Sequence, residues 1–138
     1  MAKISGITTT VAVDESGGTG RDISNDITDF TMSTPRGVQE TTGLDKSAIE
    51  RILLLADEQV TINGIFNPAS QKSHDVFKTV GSTSVARTVR ATFDVSSGNK
   101  YLENELFFTD YQITRAATGE LTWSAPGMLA NGTFTAWQ

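Results

Sequence analysis

Ser84-Val85-Ala86-Arg87-Thr88-Val89-Arg90-Ala91-Thr92-Phe93-Asp94-Val95 alternates for its whole length. Val85, Arg87, Val89, Ala91, Phe93 and Val95 share one face, while Thr88, Arg90, Thr92 and Asp94 take the other. Successive side chains point to opposite faces of a strand, so this period of two predicts a half-buried β-strand. Threonine and the other β-branched residues are stiff about χ1 and pack well on a pleated surface. Twenty of the 138 residues are threonine, most of them alternating with Val, Ile, Leu or Phe. That is a composition for building sheet.

The same pattern recurs on both sides. Ile7–Val13 alternates and predicts a first strand, followed by a solvated loop over Asp14–Asn25 that contains Gly17-Gly18-Thr19-Gly20. Ile27–Ser33 predicts a second strand, ended by Pro35, and a polar loop of about a dozen residues follows from Thr34 to Lys46. Ser47–Asp57 supports two readings. Ser47-Ala48-Ile49-Glu50 matches a capping box, and Ile49, Ile52, Leu53 and Ala56 have helical spacing. Ile52–Leu55 is continuously apolar, as in a strand buried on both faces, and strand is the reading carried forward. Val60–Phe66 predicts another strand, and Ser70–Val80 one short helix. Ser96–Asn99 predicts a turn. Tyr101–Arg115 predicts a strand whose apolar phase slips at Phe107-Phe108, the mark of a bulge or of a change in environment. After a turn at Thr118-Gly119, Leu121–Ala125 alternates and Pro126-Gly127 closes the run, with Thr133–Trp137 as a last strand.

Length and composition fit a single domain over residues 1–138, with one core burying roughly two-thirds of the surface of the unfolded chain. No apolar run approaches the roughly 20 residues that cross a bilayer, and no secretory signal is read at Met1–Thr10. The expectation is therefore no membrane insertion and action where the chain is made. Without cysteine there is no disulfide and no thiolate chemistry. A net charge of −5 is the wrong sign for gripping phosphate backbones.

Each residue group that could carry chemistry has a plainer explanation, so no catalytic, metal or cofactor residue is assigned. His74 is alone and reads as a surface or cap residue. The Gly17–Gly20 run lacks the Gly-Lys-Ser/Thr ending of a phosphate loop. Asp14, Glu15, Asp22 and Asp26 do not follow EF-hand spacing. Glu103 and Glu105 share a strand face about 6–7 Å apart, a separation some glycosidases use. Arg87 and Arg90 on the preceding strand supply opposite charge, so cross-strand or inter-subunit pairing of these four is the economical reading. Tyr101, Tyr111 and Trp123 would be the stacking residues if the chain were instead a monomeric β-sandwich carbohydrate-binding module.

Thr41-Thr42-Gly43-Leu44-Asp45, Glu50-Arg51, Leu55-Ala56-Asp57 and Val60-Thr61-Ile62-Asn63-Gly64-Ile65-Phe66-Asn67, in this order, resemble the major tail tube proteins of long-tailed bacteriophages. Phe107-Phe108-Thr109-Asp110-Tyr111 and Gly119–Gly127 look like that family's closing strands, and the helix Ser73–Val80 sits where the family places one. The resemblance implies a mainly β fold, a β-sandwich or partly closed barrel with one short flanking α-helix. It implies a structural virion protein without enzymatic activity or cofactor, assembling into stacked hexameric rings around a lumen through which DNA passes without specific binding. Its partners would be further copies, a tape measure and tail-completion proteins, in a particle built in the bacterial cytoplasm. By position, Thr34-Pro35-Arg36-Gly37-Val38-Gln39-Glu40-Thr41-Thr42-Gly43-Leu44-Asp45-Lys46 would be the ring-stacking loop. The tube of a genome-free, tailocin-like particle is a related alternative.

Overall fold

A computed structural model describes residues 5–93, 100–130 and 132–138. The strands are β1 (Thr10–Asp14), β2 (Gly20–Asp22), β3 (Ile27–Ser33), β4 (Arg36–Glu40), β5 (Arg51–Ala56), β6 (Gln59–Ile65), β7 (Arg87–Phe93), β8 (Lys100–Phe108), β9 (Gln112–Arg115) and β10 (Leu121–Leu129). One α-helix, α1 (Ser73–Phe77), and a 3-10 turn at Ser24–Asp26 complete the set among the described residues. The main sheet runs β2-β1-β7-β8-β10-β6-β3, with β9 also paired to β10, and every ladder is antiparallel. The fold is mainly β, as the sequence predicts.

Alternation decides which side is dry. Val11 and Val13, Val60 and Ile62, Val89 and Ala91, Leu106 and Phe108, and Trp123 and Ala125 all belong to one core, which α1 closes with Val76 and Phe77. The sheet curls around that core. β1 passes through β2 and the 3-10 turn directly into β3, so the two ends of the sheet are covalent neighbours, and Phe30 of β3 lies 6.3 Å from Phe93 of β7. Among the described residues no ladder joins β1 to β3, however, and the barrel stays open along that seam. Gly64 sits where the sheet is tightest: a Cβ there would fall 2.1 Å from the Asp26 carbonyl oxygen and 2.7 Å from the Trp123 ring. Only glycine fits that approach.

Several sequence expectations shift. The first strand starts at Thr10, and the loop over 14–25 contains β2 and the 3-10 turn. The expected helix shrinks to Ser73–Phe77 followed by turns. The strand expected over Tyr101–Arg115 is two strands, because the chain breaks at Thr109–Tyr111 so that Tyr111 can pack on Phe77 and Trp123. Pro126-Gly127 does not end the following strand, which continues to Leu129. Pro126 sits where β10 changes partner from β9 to β8, and its carbonyl accepts from Thr109 N. On an antiparallel strand the N and O of one residue face the same neighbour, so the missing N–H costs the β6 ladder nothing. Thr133–Trp137 is extended but not a regular strand. It follows β8 through Gln138 N to Tyr101 O and through Asn104, which accepts from Thr135 N and donates to Thr135 O. The predicted turn at Ser96–Asn99 lies outside the described residues.

Candidate self-assembly surfaces

The region expected as a loop over Thr34–Lys46 contains one strand, β4. Pairing of β3 with β6 runs to Ser33↔Gln59, then resumes in the same register at Arg36↔Ala56 as a β4–β5 hairpin. The interruption is Pro35, which has no N–H to contribute, although its carbonyl still accepts from Asp57 N. The hairpin is thus an arm, a continuation of one edge of the sheet. A bulge bends it between Arg36 and Val38, where Arg36 Nε donates to Leu54 O at 2.8 Å.

Within Ser47–Asp57 the strand runs over Arg51–Ala56, yet it is not buried on both faces as the apolar run suggests. Ile52, Leu53, Leu54 and Leu55 are 50%, 59%, 42% and 90% exposed, and Val38, Leu44 and Ile49 join them. The helical signals lose because pairing with β4 satisfies the backbone while a lone helix there would have no core to face. An isolated two-stranded hairpin is marginal in water, and an exposed apolar patch of this kind marks a contact surface.

A second surface is made of strand edges. Counting from one side, β9, β10, β6 and β3 form a four-strand layer. Among the described residues, β9 pairs only with β10, and β3 only with β6, so both outer edges carry unpaired backbone groups. Such edges are templates for further strand pairing.

The four charged candidates do not act as one cluster. Arg87 shares the inward face with Val89 and Ala91 and is 1% exposed, so it is unavailable to a neighbouring subunit. Its guanidinium donates to the carbonyls of Asp14 and Val76 and to Thr79 Oγ1, tying β1, α1 and the following turn to β7. Burial lowers its pKa, with Asp14 opposing. Arg90 and Glu103 face each other in register on the outer face, but Arg90 stacks over the Tyr101 ring at 3.8 Å. Glu105 accepts from Thr88 Oγ1. Arg87 has the phase of the core residues, a signal present in the sequence that its charge obscures.

The carbohydrate-stacking triad also dissolves. Trp123 is 2% exposed, with its indole N–H donating to Ile65 O, Tyr111 is packed against it, and Tyr101 lies under Arg90 on the other side of the sheet. Burial, aided by nearby Asp26, pushes the Tyr111 phenol up to about 12. His74 is not a surface cap: its ring packs 4.7 Å from Phe66, and Nδ1 lies 3.1 Å from the Tyr111 hydroxyl. The loop acids disperse too. Glu15 pairs with Arg21, Asp22 accepts from Ser24, and buried Asp26 accepts from Asn67 Nδ2 and Ser73 N. Among the described residues no group of three or more His, Cys, Asp or Glu is placed to hold a metal. The Gly17–Gly20 run is the β1–β2 turn, with Gly18 at φ 88°.

An open, curled antiparallel sheet with a flanking helix and a long arm defines the class. No protein-family model matches the sequence, and no curated protein matches it. The fold nonetheless matches that of a chain in the tail of an empty GTA particle, refined helically with C6 symmetry. The TM-score is 0.73 at 15% identity, over 97% of this chain and 100% of that one. A chain of the native gene transfer agent virion matches with TM-score 0.72 at 14% identity, over 97% and 100%. A chain of the six-fold symmetrised anti-feeding prophage baseplate matches with TM-score 0.62 at 9% identity, over 100% and 95%. The chain therefore has the tail-tube-like fold that its motif order suggested.

Proposed function

We propose that this protein is the repeating subunit of a phage-type tail tube, a structural conduit with no enzymatic role. The observation that carries the reading is the four-strand layer open at both edges. Its strands alternate in direction, so β9 and β3 run opposite ways. Rotation about a ring axis preserves direction, and β3 of one copy therefore meets β9 of the next antiparallel, continuing the ladder without a break. Closing a ring in this way removes both aggregation-prone edges and satisfies their backbone groups. The C6 symmetry of the GTA tail and the six-fold baseplate support six copies per ring.

The arm from Thr34 to Ala56 takes the ring-to-ring contact. It widens the expected stacking loop Thr34–Lys46 to include β5, whose leucines would be buried against the next ring. Tape measure and completion proteins would be the partners inside and at the ends, the tube part of a particle tail assembled in the bacterial cytoplasm. A genome-free tailocin-like particle would use the same subunit, and tail genes without a capsid gene nearby would assign it there. Negative-stain microscopy of the purified protein at rising concentration tests the reading. Rings and tubes are expected; monomers persisting at high concentration overturn it.

A further inference from the structure

β3, β6, β9 and β10 together contain two ionisable residues, Asp29 and Arg115, where a chain that is 20% charged would place about five. Register separates the two. Arg115 lies opposite Leu121, on the side of the layer that Trp123 shares with the core. Asp29 lies opposite Asn63, which donates to it at 2.8 Å, on the outward side. The rest of that outward side presents hydroxyls and amides at Thr31, Thr61, Thr114, Ser124 and Gln112, with Ile65 and Met128 exposed among them, and its strands carry no cation there. The charges of β7 and β8, including Arg90, Glu103 and Glu105, are elsewhere on the sheet.

Resting on the tube reading, we infer that this outward face is the channel wall and that it passes double-stranded DNA by near-neutrality, not by dense acidity. Steric layout selects the face. The other side of the layer holds the core and α1, so in a ring closed through β3 and β9 only the bare side can turn to the axis. Charge then sets the behaviour. Six copies carry −30 in all, yet the four strands bring only six carboxylates to the wall, one Asp29 per copy. DNA affinity comes chiefly from cations that displace counterions from phosphates. A wall without cations has no such term, and sparse carboxylates suffice to keep it that way.

The test compares tubes of the wild type with tubes of the double variant D29N/T61K, assembled in the presence of a 20-bp duplex and then treated with nuclease. Wild-type tubes should retain no protected DNA. The variant presents six cations per ring and should retain protected duplex at 50 mM salt, with affinity falling about 10³-fold by 200 mM if six phosphates are engaged. Protected DNA in wild-type tubes, or none in the variant, overturns the inference. So does variant-bound DNA that the nuclease digests fully, since the lysines would then lie outside. Because the chain has no cysteine, Thr61→Cys gives a second measurement that adds no charge. In tubes it should react with a small maleimide and resist a protein-sized one, and equal reaction with both overturns the assignment of the face. If no variant and no wild-type protein forms tubes, the tube reading itself fails, and the wall assignment falls with it.

Discussion

Leu55→Thr separates assembly from folding. Leu55 is 90% exposed at the turn of the β5 bulge, so it contributes almost nothing to the core of one copy. Threonine keeps strand propensity and leaves the β4–β5 ladder intact. If the arm seats on a neighbouring ring, Leu55 moves from water into contact, a transfer worth about 1.5–3 kcal/mol for a leucine. Replacing most of that apolar surface by a hydroxyl and one methyl costs about 2 kcal/mol per subunit, or some 30-fold in association. The critical concentration for tube formation, measured by sedimentation across a dilution series, should rise by that factor. The urea midpoint of the dissociated protein should move by no more than the equivalent of about 0.5 kcal/mol. An unchanged critical concentration would refute burial of the arm, and an equal loss in unfolding stability would refute its independence from the core.

Three further outcomes follow from single side chains. Gly64→Ala forces a methyl against the Asp26 carbonyl and the Trp123 ring and should destabilise the fold by about 1–3 kcal/mol or more in a denaturant titration, with no comparable loss for Gly81→Ala, whose added Cβ meets nothing. Arg87→Met leaves the Asp14 and Val76 carbonyls without their donor and should cost about 2–4 kcal/mol, seen as a lowered Tm. Glu58 is 1% exposed and its carboxyl pKa is raised, chiefly by burial and also by Asp57, against the opposing hydrogen bond from Asn104. A raised folded-state pKa means stability present below the ordinary value of 4.5 is lost as pH climbs through the elevated one. Glu58→Gln should therefore gain Tm over wild type at pH 8 and lose that advantage at pH 4; an advantage independent of pH would contradict the assignment.

Local patterning was enough for β3, β6 and β7, expected over Ile27–Ser33, Val60–Phe66 and Ser84–Val95, because alternation reports directly which side of a pleat is dry. Charge suggests pairing for Arg87, whereas its phase, shared with Val89 and Ala91, is the signal that matches its burial. Local patterning could not place the ends of the strand over Tyr101–Arg115, since the break serves Tyr111's contact with Phe77 and Trp123, residues far off in sequence. Nor could it tell that Ile52–Leu55 faces water. An apolar run looks the same whether its partner is this chain's core or another copy.

The sequence by itself thus determined the material, a threonine-rich antiparallel sheet with one helix, and the motif order that points to tail tubes. Tertiary structure alone decided which edges stay open, which face of the four-strand layer is bare, and that the long loop is an arm in register with β3 and β6. Those are properties of pairing between distant segments, and period-two alternation carries no information about which strand lies beside which.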